Sequence, residues 1–171
     1  MQNPQDIVKT LSFGSDAKDK VFAGIDKLTQ AVSSTLGASG KCVILEDFMG
    51  RPMITKDGVT VANSINLKDP VENIGATLIR EAARKTVSEA GDGTTTAAVL
   101  AHSLIKEANN KETKESLRKI KEDIQKACDS TINYLENIVV PVEGDMIDQV
   151  ATISSNNDKE LGSIIGKAFK Q

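Results

Sequence analysis

The residues best suited to chemistry lie in one short run, Gly91-Asp92-Gly93-Thr94-Thr95-Thr96. Two glycines let the backbone turn tightly and let a ligand approach it. The threonines open a helix, whose free first-turn amides and dipole favour an anion. Three hydroxyls add donors. Asp92 is a hard oxygen ligand, suited to a Mg²⁺ ion that escorts a phosphate. These features describe a nucleotide phosphate site. The same residues also read as an ordinary helix cap, and spacing alone leaves both readings open. The run is not a Walker A loop, because no Gly-Lys-Ser/Thr follows at the required spacing.

Two other segments have matching features. Thr35-Leu36-Gly37-Ala38-Ser39-Gly40 combines hydroxyls with open backbone at the end of a helix, and reads otherwise as a plain helix stop. Thr55-Lys56-Asp57-Gly58 puts a cation and a carboxylate on a tight turn, and reads otherwise as a hairpin turn. A carboxylate facing a phosphate makes chemical sense if it binds the metal or orients an attacking water. His102, the single histidine, stands near no other candidate ligand in sequence and reads as a satisfied structural residue. Ser103 cannot pair with it, since adjacent residues on a helix point apart.

The elements that must position these loops are mostly helical. Val21, Ile25, Leu28 and Val32 share a face and predict a helix capped by Ser15 or Asp16 and stopped at Gly37. Cys42–Leu45, Met53–Thr55 and Val59–Val61 read as three short strands, with Asp57-Gly58 as a turn. Strands so short must lie against helices. Asp69-Pro70-Val71-Glu72 is a helix start with a cap, a proline at the first position and a glutamate that reaches back. Val71, Ile74, Leu78 and Ala82 are its expected buried stripe, and Gly75, Ala76, Ala82 and Ala83 invite close approach of another backbone. The helix opened by Thr94 carries Val99, Leu100, Leu104 and Ile105. Leu117, Ile120, Ile124, Cys128 and Leu135 keep helical spacing beneath a charged surface, in a helix ended by Pro141. Helices around Met146–Ile153 and from Asp158 to Phe169 follow, the last capped by Asn157 with Glu160. The fold class is mainly α with a small β element.

Composition narrows the function. The 171 residues carry 21 Lys plus Arg against 24 Asp plus Glu. Such balance excludes nucleic-acid binding by bulk positive charge. Aromatic residues are 3% and tryptophan is absent, so stacking platforms for single strands are excluded too. No run approaches the ~18 apolar residues of a membrane span, and Met1–Asp6 is not a secretory signal. The expected location is the cytoplasm, with Cys42 and Cys128 as buried thiols.

At this point the residues resemble a known family. Val32–Gly37, Ile54–Ala62, Asn73–Ala76 and Ala90–Ala97 look like group I chaperonins of the GroEL type, in the same order and at nearly the same spacing. Val150–Ser154 followed by Asn157-Asp158 is similar to the start of the family's intermediate domain. The resemblance implies a ring-forming, ATP-driven protein-folding subunit. It implies that Thr35, Leu36, Gly37 and Ala38 touch the nucleotide and its phosphates. It also implies that Lys56 lies at the phosphate and monovalent-cation (K⁺) site, that Asp92 binds Mg²⁺, that Gly93, Thr94, Thr95 and Thr96 hold the phosphates, and that Asp57 helps position the attacking water. The implied cofactors are ATP or ADP, Mg²⁺ and K⁺. The implied partners are further copies of the chain in a homo-oligomeric ring, unfolded substrate proteins and a co-chaperonin lid, with no nucleic acid and no membrane.

The resemblance also implies a division of the chain. Residues 1–138 correspond to the N-terminal part of an equatorial, nucleotide-binding domain, and 139–171 to the start of an intermediate domain. The apical domain and the returning segments, with a second catalytic aspartate and much of the adenine pocket, lie outside the match. Two departures are local. Ala38-Ser39 stands where the family has proline and a basic residue, which frees the backbone there. The charged run Lys111–Ser116 is about one residue shorter than the family's counterpart. Two readings from other classes are a small phosphotransferase with an Asp-Gly-Thr phosphate loop and a helical interaction module without nucleotide. The phosphotransferase requires a long strand–helix alternation that this chain does not offer.

Overall fold

A computed structural model describes residues 10–37, 39–47, 49–110 and 115–170. The chain forms two compact units, Met1–Glu112 and Thr113–Gln171. The first holds α1 (Gly14–Ser33), β1 (Val43–Glu46), β2 (Pro52–Thr55), α2 (Gly58–Ser64), α3 (Pro70–Ala90) and α4 (Thr94–Asn110). The second holds α5 (Leu117–Ile138), α6 (Asp145–Ser154) and α7 (Lys159–Phe169). No helix among the described residues is long and apolar enough to cross a membrane.

The core of the first unit follows from the α1 stripe. Ile25, Leu28 and Val32 are buried, as their spacing predicts, and meet Val61 and Ala62 of α2, Ala76 and Ile79 of α3 and Ala98 of α4. Fully burying a Leu28 or an Ile79 contributes roughly 1.5–3 kcal/mol each. The start of α1 differs from expectation. Phe13 occupies the cap position, with no side-chain cap bond from Ser15 or Asp16. Gly37 does adopt the left-handed conformation, at φ 74°.

The α3 stripe is displaced from the predicted one. Gly75, Ala76, Ile79, Arg80 and Ala83 are buried, while Ile74 and Leu78 are 57% and 53% exposed. The small residues decide this, because α1 crosses α3 where both helices lack bulk. A Cβ on Gly75 meets the carbonyl of Val21, and one on Gly24 meets the carbonyl of Glu72. Only the face bearing Gly75 and Ala76 admits so close a crossing, so the larger residues beside it turn outward. The α3 start agrees with expectation: Asp69 caps it by accepting from Val71 N and Glu72 N, with Pro70 in the first turn. On α4 the shift is partial, because Ile105 of the predicted face packs half-buried against the core. Ala98 is buried, and Leu100 and Leu104 are exposed at 58% and 49%.

Two of the three expected strands form. β1 and β2 pair antiparallel, with Val43 opposite Thr55 and Glu46 opposite Pro52. Asp47 shapes their connection by accepting from the amides of Met49 and Arg51 at 2.8 Å each. Val43 and Leu45 turn onto the helical core. Val59–Val61 is helix, not strand. Asp57 caps α2 through Val59 N and Thr60 N, and that cap with burial of Val61 and Ala62 outweighs the β-preference of a Val-Thr-Val run.

In the second unit α5 ends at Ile138, three residues before Pro141, and buries none of its residues. Helices α6 and α7 pack together, with Gly162 and Gly166 of α7 against Thr152 and Asp148 of α6. Asp158, not Asn157, caps α7, accepting from Glu160 N and Leu161 N at 3.0 Å. Asn157 is left-handed at φ 65°, an arrangement in which the preceding turn delivers Asp158 to the cap. Both cysteines are free, and neither is the buried thiol expected: Cys42 is exposed and Cys128 half-buried.

Candidate functional site

Three connections converge at one end of the first unit: the segment after α1, the β2–α2 turn and the α3–α4 turn. Thr35, Leu36, Gly37, Lys56, Asp57, Gly58, Asp92, Gly93, Thr94, Thr95 and Thr96 line a single cavity of about 260 Å³. Of the eleven site residues read from the sequence, ten line it. Ala38 lies outside the described residues. The cavity is just under the roughly 300–1,000 Å³ of small-molecule pockets, with room for a phosphate chain.

The α3–α4 turn is built as its composition requires. Gly91 and Gly93 both have positive φ, at 76° and 86°. These values are favourable for glycine and costly for other residues. The Asp92 carboxylate accepts from Gly93 N at 2.6 Å, and Ala97 N bonds to the Gly93 carbonyl at 2.8 Å. The amides of Thr94, Thr95 and Thr96 therefore precede the first intrahelical bond, and they stand at the positive end of α4. Thr94 is itself buried and Asp92 is exposed.

The β2–α2 turn supplies a cation, Lys56, beside a structured carboxylate. Asp57 accepts from Val59 N at 3.3 Å, from Thr60 N at 2.8 Å and from the Thr60 hydroxyl at 2.6 Å. Partial burial pushes its carboxyl up, but the Thr60 hydroxyl and the two amides outweigh this and hold it below the usual carboxylate range. It is therefore ionised at neutral pH. A carboxylate has about four lone-pair positions, so three bonds leave one free to accept from a water.

Two residues outside the predicted set of site residues position these loops. Gly58, first in α2, brings that helix so close to α4 that a Cβ there runs into the Thr95 hydroxyl and reaches the Thr35 hydroxyl at 3.5 Å. A glycine straight after a capping aspartate was the available signal. Arg80 of α3 is buried and donates to the carbonyls of Ala62 and Ile65 at the end of α2. A buried arginine inside an apolar stripe has no signature in sequence. Thr35 also differs from a simple donor role, because its hydroxyl donates to the Val32 carbonyl at 2.7 Å. It presents lone pairs and backbone to the cavity.

The donor set fits one Mg²⁺. Asp92 offers a carboxylate oxygen beside a space sized for phosphates, and Mg²⁺ is ordinarily held by one or two carboxylates together with substrate phosphates and water. No group of three or more His, Cys, Asp or Glu that could cage a metal exists among the described residues. His102 does not line the cavity; its Nε2 lies 2.6 Å from Asp26 Oδ1.

Similar proteins share this architecture. Two crystal forms of the chaperonin gp146 from the bacteriophage EL 2 (Pseudomonas aeruginosa), both in the presence of ATP-BeFx, match at 32% identity and a TM-score of 0.75. Each match covers 91% of this chain and 28% of that one. A group III chaperonin in the open state matches at 28% identity and a TM-score of 0.71, over 90% of this chain and 31% of that one. The chain thus spans less than a third of the length of these chaperonins. Its mainly helical body with a small β element is their fold. The sequence model of the TCP-1/cpn60 chaperonin family matches residues 28–171, and the chain belongs to that family.

Proposed function

We propose that this chain carries the phosphate and Mg²⁺ side of an ATP site in a chaperonin subunit of the group I type. The observation that supports it is the cavity where three loops, separated by up to 61 residues, meet with one cation, two carboxylates and a helix N-terminus. In this reading the Thr94–Thr96 amides and hydroxyls, with the Gly93 amide region, bind phosphate oxygens. Lys56 adds a charge to them, at the place where a monovalent cation such as K⁺ also binds. Asp92 holds Mg²⁺, which when bound neutralises phosphate charge. Asp57 uses its remaining lone pair to orient the attacking water. Thr35, Leu36 and Gly37 border the nucleotide, and the resemblance extends that role to Ala38, which lies outside the described residues.

The phage chaperonin solved with ATP-BeFx supports nucleotide binding at this fold. Residues 1–138 then belong to an equatorial domain and 139–171 to an intermediate domain. The working assembly is a cytoplasmic homo-oligomeric ring that folds unfolded proteins under a co-chaperonin lid. The chain spans less than a third of the chaperonins it matches, and in this reading the chain alone binds nucleotide weakly and turns it over little. Calorimetric titration with Mg-ADP tests this. Binding that weakens in Asp92→Ala and in Lys56→Ala supports the reading. No heat at millimolar Mg-ADP in the folded parent chain sinks it.

A further inference from the structure

His102 is the single histidine, and the cavity does not use it. It sits on α4 and joins Asp26 of α1 across 2.6 Å. A carboxylate only accepts, so the imidazole Nε2–H donates. The histidine side chain is 20% exposed and the aspartate 48%. The bond is therefore shielded on one side and open to water on the other.

The position of the pair is more telling than its chemistry. Asp26 stands nine residues before Thr35, and His102 stands eight residues after Thr94. Helix α1 runs toward the cavity and α4 runs away from it. At ~1.5 Å per residue the pair ties the two helices at matched depths, roughly 12–14 Å behind the two loops. The apolar contacts of α4 come from Ala98, which is buried, and from Ala101 and Ile105, which pack half-buried against the same core. The Asp26–His102 bond adds a directional polar contact between α4 and α1. Small side chains such as Ala98 and Ala101 resist sliding weakly, because they offer little to lodge between the ridges of a neighbour.

We propose that the Asp26–His102 hydrogen bond is a register clasp between α1 and α4 that sets the spacing of Thr35–Gly37 from Gly93–Thr96 and thereby tunes the phosphate affinity of the cavity. The proposal rests on the reading of that cavity as a phosphate site. Both residues are positioning residues and touch no ligand. The hydrogen bond itself, and not the charge of Asp26, carries the effect.

The test uses the whole chain with Asp26→Ala, His102→Leu and Asp26→Asn, the last keeping an acceptor for the imidazole. Amide NMR spectra without ligand and calorimetric Mg-ADP titration are the readouts. Removing the bond shifts the Gly93–Thr96 amide resonances and weakens Mg-ADP about fivefold, the scale of one ordinary net hydrogen bond. Asp26→Asn stays within about twofold of the parent, because it restores the geometry. Unshifted Gly93–Thr96 amides in folded Asp26→Ala overturn the clasp, as does Asp26→Asn behaving like Asp26→Ala. A parent chain that binds no Mg-ADP refutes the phosphate reading instead, and the amide shifts then judge the clasp alone. Should His102→Leu not fold, Asp26→Ala carries the test, since it truncates only the more exposed partner.

Discussion

Gly58 contributes no side chain to the cavity, and that determines how near α2 can come to α4. Its missing Cβ leaves the space that the Thr95 hydroxyl occupies. Gly58→Ala therefore pushes the β2–α2 turn away from the threonines. Mg-ADP binding falls by about tenfold or more, equivalent to about 1.4 kcal/mol, while the melting temperature changes little. Calorimetry on the folded variant measures it, and unchanged affinity contradicts the role given to this glycine. Asp57 makes a different prediction. Its folded-state pKa is depressed by the Thr60 hydroxyl and two amides, against the opposing effect of burial. Asp69 is depressed by the Val71 amide and Lys20, and Asp47 chiefly by the Arg51 amide. A carboxyl with a lowered folded pKa adds stability that is fully present above its unfolded pKa, about 3.9, and is lost as the pH falls below it. The urea midpoint should hold steady from neutrality to about pH 5 and drop below about pH 4. Asp57→Asn should flatten that acid limb.

Helix crossing provides the sharpest test at the next scale. On an exposed helix surface Gly→Ala stabilises by roughly 0.8–1 kcal/mol. At Gly24 and Gly75 the added methyl meets backbone carbonyl of the opposite helix, which cannot swing aside as a side chain can. Gly24→Ala and Gly75→Ala should each destabilise by about 1–3 kcal/mol or more, the cost of overpacking. Urea unfolding decides the sign, and a stabilised variant contradicts the crossing. The same geometry explains which helix faces the sequence predicted. The α1 stripe was legible because its buried residues are large and regularly spaced. The α3 face and the Leu100 and Leu104 part of the α4 face were misplaced because a tight crossing selects small residues, and hydrophobicity patterns give weight to large ones. Val59–Val61 was misread for a related reason: local β-preference is weak beside a cap and two buried positions.

At the scale of the molecule, all described cavity residues belong to the unit Met1–Glu112. That unit contains the whole buried cluster around Leu28 and Ile79. The segment 1–112 expressed alone should keep a cooperative helical melt and bind Mg-ADP within about threefold of the full chain, since no binding residue is lost. Circular dichroism and calorimetry check both. Loss of binding with retained fold contradicts the assignment of the site to this unit. The other unit is less self-sufficient. Helix α5 buries nothing, and Leu135, Ile138, Val139 and Val140 are more than half exposed. Apolar surface of this kind favours association. Residues 113–171 alone should sediment as aggregates or oligomers at micromolar concentration; a monomer with a sharp melt contradicts this.

The sequence by itself determined the elements of chemistry and most of the helices. Glycine at positive φ, aspartate as a cap and threonine at a helix start are local requirements, written residue by residue, so Gly91–Thr96 and Asp69–Glu72 could be read without coordinates. The order of these motifs also carried the resemblance to chaperonins, which the match to the TCP-1/cpn60 family supports at the level of that family. What only the tertiary structure decided was proximity. Nothing local states that Gly58 lies under Thr95, that Arg80 holds the end of α2, or that His102 meets Asp26 across 76 residues of chain. Those contacts follow from how closely α1 and α3 cross and where α4 then fits. Backbone approach at two glycines sets that geometry, through steric exclusion that a one-dimensional pattern does not record.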